Sequence, residues 1–265
     1  MSAATTTVGR EAPERVRTGI PGLDEMLCGG LLGQSTNLVE GAPGTGKSVL
    51  GTQFVYHGVV AYDEPGLILT FEEFPQQYYR SAAALGWNLR QLEEQGKLRV
   101  VMSSPEVCLA ELEQVGGRLE RLVQEIGARR IFVDSLSHFE RVSDDPAGLR
   151  SVVHGFLNGL KREGLTSVLA RESSALLGEA EGVDDVFGFL VDSYTLLRYV
   201  EIDSAVRKAL LVLKMRGSDH DKGIRQFEIT SHGLEVLAPF TGREAIMSGS
   251  PRRMADSFVQ AFVRR

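Results

Sequence analysis

Eight residues constrain this 265-residue chain more than any others: Gly41 to Ser48 read GAPGTGKS, a full match to GxxxxGK[ST]. They follow the apolar run Thr36 to Glu40 (TNLVE) and open a helix-like stretch. Glycines let such a loop curl its backbone N–H groups around phosphate oxygens, and the helix N-terminus adds its partial positive charge. In that geometry Lys47 reaches β- and γ-phosphates and the Ser48 hydroxyl ligates Mg²⁺. The motif works only between a strand and a helix, so an α/β fold is expected.

The rest of the chain repeats that alternation. Gly66 to Phe71 (GLILTF), Leu98 to Met102, Arg130 to Asp134 and Thr166 to Ala170 carry apolar residues in blocks, as strands covered on both faces do. Helical patterns lie between them, over Lys47 to Ala61, Pro75 to Gly86, Leu109 to Gly127 and Ala147 to Gly164. A doubly wound, mostly parallel sheet follows, with its ligand beyond the carboxyl ends of the strands.

From about Val186 the pattern changes to strand-like segments at Ser193 to Glu201, Lys208 to Met215 and Arg225 to Thr230. They read as antiparallel hairpins extending one edge of the same sheet. No Pro/Gly/Ser-rich linker divides the chain, so one domain is expected over residues 16–247, after a flexible N-terminus of residues 1–15. In the tail, residues 248–265, Met254, Phe258, Ala261 and Phe262 stand close to helical spacing, which fits a helix capping its own domain or docking a partner.

Charge and cysteines narrow the classes. The formal net charge is −6, so no global basic field attracts nucleic acid. Cys28 and Cys108 have no CxxC or nearby His partner, which points away from a disulfide framework or a zinc site. No apolar run reaches the ~18 residues of a membrane helix, and a soluble cytoplasmic protein is expected.

A phosphate loop of this type needs a second metal-orienting carboxylate on a neighbouring strand, and Asp134 ends Ile131-Phe132-Val133. Taken alone, such an Asp could equally cap a helix. Ser135 follows it, so the group that activates water comes from elsewhere. Glu72-Glu73 ends the strand GLILTF on the expected side of the sheet. Adjacent strand residues point to opposite faces, so one would take the water and the other support it or the metal. A solvated acidic helix start is the plain alternative.

An ordered series of segments then becomes informative as a whole: TGIPGLDEML, GAPGTGKS, LTFEEFPQQ, LGWNLRQLEEQGKL, IFVDSLS, YVEIDSAVRKALLVLKMRGSDHDKGIRQFEIT and IMSGSPRR. From Val16 to about Arg253 the series resembles the KaiC family within the RecA/RadA-like P-loop ATPases, with room for one of KaiC's two tandem halves. The resemblance implies a RecA-like P-loop NTPase fold and Mg²⁺-dependent ATP hydrolysis. Gly44, Thr45, Gly46, Lys47, Ser48 and Val49 would cradle the ATP phosphates; Ser48, Asp134 and Glu72 would surround Mg²⁺. Glu72 and Glu73 match the family's catalytic glutamate pair. Lys214 and Arg216, in LKMRG, match the pair that reaches a nucleotide on the neighbouring subunit, with Met215, Ser218 and His220 lining it.

The resemblance further implies a homohexameric ring with ATP between subunits, although a head-to-tail interface that fails to close makes a filament instead. KaiC's autophosphorylated Ser-Thr pair aligns with Gly188 and Phe189, which have no hydroxyl, so autokinase activity there is not expected. Arg171-Glu172 stands where a KaiC half often has Thr, which alters any γ-phosphate sensing at that point. The leading expectation is a regulatory or signalling ATPase acting on a protein partner. One rival is a RadA-like recombination accessory binding single-stranded DNA, kept open by Arg129-Arg130, Arg252-Arg253 and Arg264-Arg265 and opposed by the acidic balance. Another is a nucleotide-locked scaffold with negligible turnover. A clock role does not follow from the domain alone.

Overall fold

The computed structural model describes residues 14–114, 116–173, 186–240, 243–244 and 252–253. Nine strands form one sheet: β1 (Thr36–Gly41), β2 (Gly66–Thr70), β3 (Leu98–Met102), β4 (Arg130–Asp134), β5 (Thr166–Glu172), β6 (Ser193–Ile202), β7 (Ala205–Met215), β8 (Arg225–Thr230) and β9 (Gly233–Pro239). Their spatial order is 9-8-7-6-1-5-4-2-3. Besides a four-residue helix at Leu23–Met26, the α-helices among the described residues are α1 (Lys47–Tyr62), α2 (Pro75–Ala84), α3 (Leu89–Glu94), α4 (Pro105–Glu113), α5 (Arg118–Ile126), α6 (Pro146–Arg162) and α7 (Val186–Leu190).

Strand alternation sorts the apolar blocks onto two faces. Val39, Ile68, Phe132, Val168 and Ala170 pack with α1, α2 and α3. Their neighbours Leu38, Leu67, Leu69, Ile131, Val133 and Leu169 pack with α5, α6 and α7 on the other side. This double burial explains why the strands are apolar blocks. The sheet is the doubly wound, RecA-like arrangement expected, with the antiparallel extension at the β6 edge.

Four details differ from the sequence reading. Ser193–Ile202 pairs in parallel with β1, and antiparallel pairing starts only at β7. Asp192 ties the two strand starts together: its carboxylate accepts from the Thr36 N–H at 2.8 Å and the Thr36 hydroxyl at 3.0 Å. Leu109 to Gly127 is not one helix. Ser104 caps α4 by accepting the Val107 N–H, and Gly116, at φ 74°, breaks the run before α5. A Cβ on Gly117 would meet the Glu111 carbonyl oxygen at 2.1 Å, so the tight turn requires glycine there. Strand β9 and helix α3 carry no separate signal in the sequence reading. The apolar tail positions Met254, Phe258, Ala261 and Phe262 lie outside the described residues, as do residues 1–13 of the N-terminus.

Arg130 shows how the fold uses a charge inside. It is fully buried, its Nε donating to Glu64 at 2.6 Å and its Nη1 to the Phe54 carbonyl at 3.0 Å. The guanidinium stacks between Phe54 and Tyr62, 4.7 and 5.2 Å from their centroids. This side chain cannot serve a nucleic-acid surface, which removes half of the Arg129-Arg130 cluster. Arg130→Ala is expected to cost about 3 kcal/mol, because it strands Glu64 beside the core. Pairing Arg130→Met with Glu64→Leu should recover most of the loss. Urea unfolding midpoints of the two variants check this.

Candidate functional site

Four strand ends meet at one place. The loop after β1, the turn after β2, the last residue of β4 and the last residue of β5 line a cavity of about 380 Å³. Its walls include Gly44, Gly46, Lys47, Ser48 and Val49 from the phosphate loop, and Glu72, Glu73, Asp134 and Glu172 opposite. Neighbouring parallel strands place their carboxyl ends together, so residues far apart in sequence converge without special loops.

The loop has the bent form its glycines allow. Gly44 and Gly46 have φ of 77° and 114°, and a Cβ on Gly46 would strike Ile229 at 2.7 Å. The Thr45 hydroxyl closes the loop on the Ala42 carbonyl at 2.8 Å. Lys47 is 7% exposed and donates to the carbonyls of Gly41 at 2.8 Å and Ala42 at 3.1 Å. Burial lowers its pKa, while Glu172, Asp134 and Glu40 push back in that order. Glu172 is therefore one of three carboxylates whose charge acts on this lysine. In the sequence Glu172 stands out only as a departure from the family pattern, because β5 runs two polar residues beyond its apolar block.

Ser48 and Asp134 meet directly, the hydroxyl donating to Oδ2 at 2.7 Å. The buried Tyr78 hydroxyl donates to the same oxygen at 2.5 Å. Among the described residues no group of three His, Cys, Asp or Glu side chains could hold a metal alone. A hydroxyl beside a carboxylate is instead the partial donor set that suits Mg²⁺ on a phosphate, since phosphate oxygens and waters complete its shell.

Glu72 and Glu73 are not strand residues, so the rule that sends them to opposite faces does not apply. β2 ends at Thr70, whose hydroxyl accepts from the N–H groups of Glu72 and Glu73 at 3.3 and 3.0 Å and donates to the Glu73 carbonyl at 3.1 Å. The resulting turn lets both carboxylates line the cavity. Glu72 lies 3.4 Å from His138. Partial burial raises the Glu73 pKa, with Asp134 and Glu72 adding repulsion.

Behind the loop, Glu40 is buried between Arg171 at 3.2 Å and Arg198 at 3.1 Å, and accepts from the Tyr194 hydroxyl at 2.6 Å. Arg171 also covers the Phe187 ring, 4.5 Å from its centroid. The phosphate-loop strand is thus tied to β5, β6 and α7.

The remaining predicted residues stand elsewhere. Lys214 donates to the Gly188 carbonyl and Arg216 to the Phe189 carbonyl, so both reach α7 from the end of β7. Met215 packs in the core, Ser218 accepts from Arg15 at 2.5 Å, and the His220 ring nitrogens are buried. Lys214, Met215, Arg216, Ser218 and His220 do not line the phosphate cavity of their own chain.

Comparison with known proteins fits this geometry. The family model "ATPase: KaiC" matches residues 16–240. The chain is similar to the circadian clock protein KaiC3 of Synechocystis sp., 37% identical over 246 residues, covering 93% of this chain and 48% of the relative. It is also similar to the circadian clock oscillator proteins KaiC of Synechococcus elongatus (34% identical over 248 residues, 89% and 47% covered) and Picosynechococcus sp. (33% over 232 residues, 84% and 44%). The chain spans about half the length of the curated relatives it matches. With its phosphate loop, converging carboxylates and doubly wound sheet in place, the chain belongs to the KaiC family of ATPase domains.

Proposed function

We propose that the chain is a Mg²⁺-dependent ATPase that works as a cytoplasmic homo-oligomer, with sites shared between subunits, and that it regulates a protein partner. The observation that carries the reading is the Ser48–Asp134 contact beside Lys47, Glu72 and Glu73 in one cavity. Lys47 and the loop N–H groups bind and orient the triphosphate. Ser48 and Asp134 would hold Mg²⁺, which when bound neutralises charge between the β- and γ-phosphates. Glu72 and Glu73 orient and deprotonate the attacking water. Gly188 and Phe189 carry no hydroxyl, so the proposal includes no self-phosphorylation at that position.

Sharing between subunits is supported by the separation of Lys214 and Arg216 from their own cavity. It is also supported by two exposed aromatics, Phe74 beside the cavity and Phe189 beside Arg216, which suit an interface core. A hexameric ring is the closed form of that head-to-tail contact. The clock role in the relatives' names is not carried over to this chain, because a shared site does not set the pathway.

The test is ATP hydrolysis in Mg²⁺ and in EDTA, together with solution mass with and without nucleotide. Mg²⁺-dependent turnover by an assembly supports the reading. Assembly and ATP binding without turnover would leave a scaffold, and salt-sensitive binding to single-stranded DNA would favour the recombination class.

Glu172→Gln is expected to tighten ATP binding about tenfold at low ionic strength, because it removes a negative charge facing both Lys47 and the phosphates. The gain should shrink with added salt. Calorimetric titration with ATP at two salt concentrations measures both effects.

A further inference from the structure

We propose that the Tyr78 hydroxyl is a positioning group for Asp134, holding the carboxylate in the pose in which it and Ser48 receive Mg²⁺. The inference rests on the Mg²⁺-ATP reading above and adds a residue to it. Tyr78 is 4% exposed, and its ring packs in the apolar layer that α1 and α2 share. A phenylalanine would fill the same space. The hydroxyl instead leaves that layer and donates to Asp134 Oδ2 at 2.5 Å, a bond strengthened by the carboxylate charge.

An aspartate turns easily about its last side-chain bond, since that torsion is broad. Two donors on Oδ2 fix it here, Ser48 from α1 and Tyr78 from α2. They are not equivalent. Ser48 belongs to the proposed metal set, so its hydroxyl serves both the metal and Asp134. Tyr78 lies outside that set, and its hydroxyl holds the carboxylate from a different helix.

The bond also closes a loop of structure. α2 begins at Pro75, two residues after Glu73 and the turn that Thr70 gathers, and the Phe74 N–H bonds to the Gln77 side chain at 2.8 Å to fix the helix start. Tyr78 then returns from α2 to the end of β4. The turn carrying the two glutamates is thereby pinned against Asp134, which would receive the metal.

The experiment compares the parent with Tyr78→Phe, measuring binding of a fluorescent ATP analogue while Mg²⁺ is titrated, and again in excess EDTA. Tyr78→Phe should need about tenfold more Mg²⁺ for half-maximal binding, the lower end of what loss of a metal ligand's support costs. Its metal-free affinity should match the parent's. A purely packing role would alter both conditions alike. An unchanged or lowered Mg²⁺ requirement, or an equal loss with and without Mg²⁺, overturns the proposal while leaving the ATPase reading intact. A parent whose binding ignores Mg²⁺ overturns both.

Discussion

Glutamine at both Glu72 and Glu73 is expected to lower ATP hydrolysis by about 10²–10⁴-fold, the usual worth of a positioned acid–base group. ATP affinity should change by less than about threefold. The separation follows from how the turn is built. Thr70 holds the backbone N–H groups of both residues and the Glu73 carbonyl, so the turn does not depend on the carboxylates. Glutamine keeps the volume and removes only the basic oxygen. The single variants then divide the work: Glu73 holds its proton more tightly than a free glutamate, through burial and the nearby Asp134 and Glu72, whereas Glu72 is mostly exposed beside His138. Steady-state turnover beside equilibrium ATP binding checks the prediction, and parent-like turnover in the double variant would remove both residues from catalysis.

Arg216→Ala is expected to lose about 10³-fold in turnover, the lower bound for a cation that meets transition-state charge across an interface. The more informative result comes from mixing. An Arg216→Ala chain keeps its phosphate loop and its glutamates, while a Glu72→Gln/Glu73→Gln chain keeps its arginine. If sites are shared, mixed assemblies contain some that are complete, and activity should reappear in a mixture of two nearly inactive preparations. Mixed assemblies that form without regaining turnover would place Arg216 outside catalysis, as a bond to the Phe189 carbonyl and nothing more.

The fold was legible because its signals are local. Apolar blocks mark β1 to β5 to within a residue or two, buried on both faces in all but the edge strand β3, and GAPGTGKS marks the loop through its glycines alone. The direction of β6 was not legible, since a strand's own pattern is the same in either pairing; the Asp192–Thr36 bonds that align its start with that of β1 appear only in the tertiary structure. Asp134 was readable from the end of an apolar run. Tyr78 was not, because a tyrosine on an apolar helix face reads as core, and only the tertiary structure shows where its hydroxyl goes. Glu172 was hidden for a related reason: Arg171 and Glu172 extend β5 as polar residues because Glu40 and Lys47 wait for them.

Glu40 and its two arginines have a consequence for descent. A buried charge left without its partner costs about 3–5 kcal/mol, whereas an apolar set of matching size is tolerated. Replacing Glu40 alone takes the carboxylate away from both Arg171 and the buried Arg198, and is the costliest single change of the three. A lineage that replaces Glu40 should exchange the arginines with it, so three residues on the adjacent strands β6, β1 and β5 should change together or not at all.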